Sequence, residues 1–445
     1  MKLDRFLFTQ IDNSPLIVFR IFFGLLITLE AWGAIATGWV RKTLVAPEFT
    51  FNFIGFDFLQ TFPGPGAQMY GYFALMGIFG VFVMLGYKYR WSMLAYGIMW
   101  AGVYFMQKSS YNNHYYLLML LCGLMTLLPA GRAMSLDAMR RPEIGKTHMS
   151  RWVVVVIVLQ LWIVYTYASV AKLYPDWLDA TVPESLMKGK KDYWFIGDIL
   201  QQRWVHYAIA YVGILFDGLI IPLLLWKKTR KWAFGISIFF HLFNSIVFQI
   251  GIFPYMSLAF SLFFFEPKVV YGIFLKRWKA YYDGNEIVAH SLKRAWVVVL
   301  CTYFIIQIGL PVRHWIFPGD VLWTEEGHRL SWRMMLRSKS GSLIFYAEDR
   351  ATCKRERIKL STYLSKKQQR NIRTKPDMIW QFAQRMKNKY AAEGRDMAIY
   401  ANCRVRVNGR KLQKFTDETV DLTSIPWNYF GHSSWVLESG DYLVK

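Results

Sequence analysis

The chain has 445 residues, is 54% hydrophobic and 18% aromatic, and carries only 19% charged residues with a formal net charge of +23. Soluble chains carry more charge than this, which excludes a water-soluble enzyme or binding module and points to an α-helical polytopic membrane protein.

In chain order, nine apolar runs read as spans: 15–37, 69–86, 91–107, 114–130, 152–171, 205–226, 232–248, 251–265 and 295–310. Runs near 20 residues cover the roughly 30 Å of bilayer hydrocarbon as helices. The first is too long for a signal peptide, and no small-residue cleavage site follows it. The stretch 251–265 follows its neighbour so closely that 232–265 also reads as a broken or re-entrant pair. "FPGPG" (62–66) marks a turn-rich outer loop. Lys and Arg number 19 in the loops of one side and 8 on the other, so the positive-inside rule sets the N-terminus in the cytoplasm. Nine crossings then carry the C-terminal part to the periplasm or lumen.

The expected division is a transmembrane domain over 1–310 that carries the site, and an outer α+β domain over 311–445. The outer part holds 25 Lys and Arg against 14 Asp and Glu. "CRVRVNGRKLQKF" (403–415) reads as a hairpin turning at Asn-Gly, and "DMIWQFAQRMKNKYAAEG" (377–394) as an amphipathic helix stopped by Gly394. The positive excess suits a solvated basic face, an acidic substrate or an anionic lipid surface; no nucleic-acid partner is expected. Cys122 and Cys301 read as packed thiols within spans. Cys353 and Cys403 lie where a disulfide is chemically permitted. No paired ligand spacing suggests a metal.

Ionisable residues inside spans are rare and usually functional. Here they are Arg20, Glu30, His114, Lys172, Asp217 and His241, with Asn244 and Gln249 as polar companions. Topology brings His114, Lys172 and His241 to one depth beneath the outer domain. Taken singly, each has a plain explanation. Asn112 or Asn113 caps a helix, Lys172 snorkels to the headgroups, and His241 is a packed imidazole. Arg20 and Glu30, about 15 Å apart on one helix, read as structural. The shared depth favours a site instead. A desolvated lysine loses charge and becomes a base, and nearby imidazole and amide groups donate to a developing oxyanion. Lateral access from the bilayer suits a lipid-soluble acid such as a quinol.

"NNHYYL" (112–117), "VAKLYPDWL" (170–178), "FHLFNSIVFQIGIFPYMSLA" (240–259) and "SWRMMLRSKS" (331–340) resemble, in the same order, motifs of the vitamin K-dependent γ-glutamyl carboxylase family. Animal members read NNH-x-YL, KLDADW, FH-x-x-NS…IGMFPY and SWDMM. "IPWNYFGHSSWVL" (425–437) resembles a late W-x-x-F…SW stretch, so the likeness runs from about residue 15 to 440.

The resemblance implies that a lysine, matching Lys172, deprotonates vitamin K hydroquinone. Oxygen then converts the quinol to an epoxide through a strongly basic alkoxide. That base removes the γ-proton of a substrate glutamate, and the carbanion captures CO2, with no metal. His114 would assist. Asn113, His241, Asn244 and Tyr255 would hold the quinol, menaquinol or phylloquinol. His314, His328, Ser331, Trp332 and Arg333 would bind the glutamate-containing protein or peptide.

Departures from the pattern are informative. Tyr174 stands where the family has an acid beside the lysine, with Asp176 a possible substitute. Arg333 replaces an acid, and His328 and Leu330 replace tyrosines. A family cysteine has no counterpart in "WQFAQRMKNKY", and the long animal C-terminal extension is missing, as in a prokaryotic-type member. Two alternatives stand beside a carboxylase: a quinol epoxidase that carboxylates no protein, and a membrane transporter or binding protein, against which stands the lack of an inverted-repeat signal.

Overall fold

The computed structural model describes residues 2–60, 64, 66–288 and 293–440. Phe62, Pro63 and Pro65 of the expected outer-loop turn lie outside the described residues.

A bundle of apolar helices forms the larger part. In chain order these are α1 (Ser14–Ala36), α2 (Ala67–Leu85), α3 (Tyr89–Met106), α4 (Asn113–Leu127), α5 (Trp152–Val170), α6 (Arg203–Leu225), α7 (Arg230–Phe243), α8 (Phe253–Phe260) and α9 (Lys293–Val312). Each expected span falls on a helix, yet nine crossings are not established. Among the described residues, six helices are long and apolar enough to cross a membrane. Helix α3 is not one of the six, and α4 has only 15 residues. The run 253–263 bends by 118° into 267–275; counted with that pair as one span, the total is seven.

Helix α1 starts where the Asp12 carboxylate accepts from Ser14 N at 2.8 Å and Pro15 occupies the first turn, a position that needs no amide donor. It packs closely on α2 because glycine removes the side chain at the contact. A Cβ on Gly24 would lie 2.4 Å from Met84 N, and one on Gly80 2.5 Å from Thr28 Oγ1, the small-residue packing common between membrane helices. Arg20 is buried, yet donates to the carbonyls of Ala130 (2.8 Å), Ala133 (3.0 Å) and Met134. Its role is structural, as its place in the sequence suggested.

Contacts sort the helix ends onto two faces. On one face, strands β1 (Gln10–Asp12) and β2 (His148–Ser150) pair antiparallel with Ile11 opposite Met149, and Lys279 pairs with Asp12 at 2.6 Å. On the other, Lys108 N donates to Phe51 O, Lys108 Nζ pairs with Asp377 at 2.6 Å, and Gln368 donates to Phe49 O at 2.8 Å. The C-terminal part therefore sits on the bundle face opposite the N-terminal strand.

That part is α+β. Strands β3 (Lys339–Asp349), β4 (Arg355–Ile358), β5 (Met397–Val407) and β6 (Gln413–Lys414) form an antiparallel sheet in the order β4-β3-β5-β6. Burial alternates along most of β5, as expected for a sheet with one covered face. The cover is α10 (Pro376–Ala392), whose Phe382 lies 4.9 Å from Phe345 between ring centroids. Asn408 and Gly409 both have positive φ, and Arg410 N donates to Val407 O, which is the hairpin turn read from the sequence. Gly394 (φ 75°) follows the end of α10. All four cysteines are free. Cys122 and Cys403 are buried, but Cys301 is exposed on the bundle surface and is not the packed thiol expected.

Candidate active site

Lys172 lies in the turn just past α5 and is only 7% exposed. It does not snorkel. Its Nζ donates to Ala168 O at 3.0 Å and meets Asp217 Oδ2, from α6, at 2.5 Å. The Trp177 ring lies 5.6 Å away. The expected lone amine thus has an acidic partner. That partner is not Asp176, whose carboxylate is taken by Asn408 (2.8 Å) and Arg410 (2.6 Å) of the outer domain. Tyr174, standing at the family's acid position, donates instead to Leu336 O.

Other polar groups lie in the same bundle. Tyr165 stands two helical turns before Lys172, and its hydroxyl meets His241 Nε2 at 3.2 Å. His241 is buried and its Nδ1 has no partner among the described residues. Its ring stands edge-on to Phe253, with centroids 6.4 Å apart, while His114 stacks on the same phenyl ring at 4.0 Å. Two imidazoles from different helices therefore flank one aromatic side chain. They are brought there by a break: α7 passes into a π turn at Asn244–Phe248, and left-handed residues at Gln249 and Gly251 reverse the chain before Phe253. Irregular backbone at membrane depth is tolerated where it lines a cavity or is packed in protein. Asn244 opens the π turn. Tyr255 accepts from Ser245 Oγ at 3.1 Å and lines an apolar cavity of about 760 Å³ between α1 and the 252–274 segment.

Asn112 and Asn113 divide two tasks. Asn112 Oδ1 accepts from Tyr115 N at 2.7 Å, capping α4. Asn113 is not free toward the cavity. It accepts from Tyr111 OH at 2.8 Å and donates to Arg333 O at 3.1 Å, tying α4 to the loop after α9.

That loop is strained. Glu325, Leu330, Trp332 and Met335 all have positive φ without being glycine, a conformation held only where the surroundings enforce it. Trp332 stacks on Tyr116 at 4.8 Å and is 1% exposed. Ser331 donates to His328 O. Both ring nitrogens of His328 lie within 3.3 Å of Arg337 Nη1; burial, and then Arg337, push its imidazole well below the usual range. His314 Nδ1 lies 2.7 Å from Pro311 O, and its Nε2 lies 3.4 Å from Arg333 Nη1. Arg333 is 5% exposed, and its Nε and Nη2 have no partner among the described residues. Burial first, and Arg337 second, lower it to about 10. Gly327 permits the loop to close on His314, since a Cβ there would lie 2.6 Å from His314 Cα. Among the described residues, no group of three His, Cys, Asp or Glu is placed to hold a metal ion.

Two family models match the chain: the HTTM domain over residues 8–268, and the lumenal domain of the vitamin K-dependent gamma-carboxylase over 292–441. The chain belongs to the vitamin K-dependent gamma-carboxylase family. No solved structure matches it. Among the family motifs in this chain, the structure places Lys172, His114 and His241 beneath the outer domain. It places His314, His328, Ser331, Trp332 and Arg333 together in the loop region above them. Sequence reasoning listed Asp217 as an in-span acid but did not find its partner, because a contact 45 residues away leaves no local pattern. Tyr165 was missed; its only signal is its spacing of seven residues from Lys172, which is two turns of one helix face.

Proposed function

We propose that this integral membrane protein is a quinol-dependent γ-glutamyl carboxylase: it couples oxidation of vitamin K hydroquinone by O2 to carboxylation of glutamate in a protein or peptide with CO2. The observation that carries the reading is the buried Lys172–Asp217 pair, with Tyr165, His241 and His114 in the same bundle, under a loop that holds a buried guanidinium whose Nε and Nη2 have no partner among the described residues.

The residues fit a hydroquinone. The orphaned His241 Nδ1 is a hydrogen-bonding atom with no partner among the described residues, and a separate apolar cavity lined by Tyr255, which His241 does not itself line, suits an isoprenoid tail. His241, His114, Asn244 and Tyr255 would hold it, with Asn113 fixing the helix start. When bound, the hydroquinone supplies, with O2, the strong base that abstraction of a carbon-bound proton needs. The chain's own work is to receive and hold protons. Lys172 and Asp217, 2.5 Å apart, would together receive the proton that the hydroquinone gives up, Asp217 taking the charge that the transfer leaves on the pair. His114 and His241 orient the ring hydroxyls, and Phe253 excludes water between them.

Arg333, through its Nε and Nη2, would take the substrate's γ-carboxylate, while His314, donating from Nδ1 to Pro311 O and facing Arg333 Nη1 with Nε2, would position the guanidinium. Two buried donors without a partner cost free energy that a carboxylate recovers, through charge-assisted hydrogen bonds. Under this reading Ser331, Trp332 and His328 shape the loop rather than touch the acid.

The reading keeps a division at residues 1–310 and 311–445, although the core around Phe345 and Phe382 also takes in Phe49, Phe51, Tyr174 and Trp177 from the first part, and Trp332 joins the bundle core around Phe19 and Tyr96. It also keeps a cytoplasmic N-terminus, an outer C-terminal domain in periplasm or lumen, and a prokaryotic-type enzyme needing no metal. The test is purified protein with reduced phylloquinone, O2, labelled bicarbonate and a short Glu peptide. Label in the peptide together with quinone epoxide is expected. Epoxide without label would make the protein a quinol epoxidase, and neither product would sink the proposal.

A further inference from the structure

The bundle face opposite the outer domain holds a second cavity, of about 840 Å³, that the proposed reaction does not use. Its walls are the start of α3, the chain just beyond α4 and the loop 131–146. Six cations line it: Lys88, Arg90, Arg132, Arg140, Arg141 and Lys146. Only two acids, Asp137 and Glu143, accompany them. Asp137 is already committed, since its two oxygens accept from Lys88 N (2.7 Å) and Tyr89 N (2.8 Å) and so cap α3. Among the described residues, none of the six cations forms an ion pair.

Clustered cations without counter-ions repel one another, and burial together with Arg90 lowers Arg132. The Arg140 guanidinium is held over the Tyr87 ring at 4.7 Å, which fixes it in place without neutralising it. Trp91 lines the cavity and is 73% exposed, as tryptophans are at the boundary between hydrocarbon and headgroups. A cavity at that depth, with six cations against two acids, is suited to phosphoryl groups.

We infer that this cavity binds an anionic phosphate-bearing group at the membrane boundary. Two sources share that chemistry: the headgroup of an anionic phospholipid, and a free polyphosphate. The inference is independent of the carboxylase reading, because none of these residues belongs to the site around Lys172.

The test uses the full chain in neutral detergent. Retained lipid is counted by native mass spectrometry after exposure to cardiolipin, phosphatidylglycerol or phosphatidylcholine, and binding of sodium pyrophosphate is measured separately. Cardiolipin and phosphatidylglycerol are expected to be retained over phosphatidylcholine. Arg90→Gln/Arg132→Gln should weaken retention about thirtyfold, since it removes two of the cations near the phosphate. Arg140→Gln/Arg141→Gln, at exposed positions, should weaken it in the same direction with the fold undisturbed. Pyrophosphate binding that falls in the same variants, with no preference among lipids, would assign the cavity to a soluble anion. Equal retention of all three lipids with no pyrophosphate binding would overturn the inference. So would both variants binding like the unmodified chain.

Discussion

Replacing Asp217 by Asn leaves the Lys172 ammonium with no counter-charge. The two side chains are 10% and 9% exposed, so water replaces little of what is lost. Removing one partner of such a buried pair costs about 3–5 kcal/mol, and Lys172→Met should cost a similar amount by stranding the carboxylate. The double variant Lys172→Met/Asp217→Asn strands neither. It should cost about as much as one single change rather than the sum, giving a coupling of about 3 kcal/mol or more in a double-mutant cycle. Equilibrium unfolding in mixed micelles measures the cycle, and epoxide formation from phylloquinol is followed in parallel. The double variant should be folded and inactive, which separates the stabilising role of the pair from its chemical one. Additive stability losses would refute the pairing, and epoxide from any Lys172→Met protein would refute the base.

Three further outcomes follow from the geometry. His114→Phe keeps a ring stacked on Phe253 and should fold normally, yet lose at least tenfold in epoxide formation, as should His114→Ala; full activity in the Phe variant would reduce His114 to packing. Arg333→Gln should raise KM for a Glu peptide about 10- to 100-fold, the worth of charge-assisted hydrogen bonds, while epoxide formation without peptide is unchanged; an unaltered KM would remove Arg333 from the acid site. His328 is held neutral by burial and Arg337, so below about pH 6.5 the unfolded chain takes up a proton that the folded chain does not. Stability should therefore fall with pH by up to about 1.4 kcal/mol per unit from this group, and His328→Gln should flatten the acid limb of a denaturation series; an identical slope would contradict it.

Much of this was legible in the sequence, for identifiable reasons. Apolar runs mark helices because burying backbone in hydrocarbon leaves few other choices. The Asn-Gly hairpin and the helix stopped by Gly394 are local features, set by φ preferences of single residues. The cap at Asn112 is equally local. What the sequence hid is long-range. Asn113 reaches Arg333 across 220 residues, and Asp176 leaves the membrane site for Arg410 across 234. No periodicity encodes such pairings. The number of spans was obscured because the apolar runs over α3 and α4 read like the others, yet neither is among the six helices long and apolar enough to cross, and because the bend between 263 and 267 changes direction without changing composition.

The small sheet at the N-terminal edge also acts at a distance. Met149 is paired to Ile11 only three residues before α5 begins, so that helix is clamped at one end. From Trp152 to Val170 it rises about 27 Å before delivering the amine to Asp217. A rod fixed at its foot cannot be lengthened without turning its tip: one inserted residue in α5 would swing Lys172 by about 100°, away from its acid. Register set by a few amide hydrogen bonds at one end of the helix thus determines whether Lys172 meets Asp217 at the other.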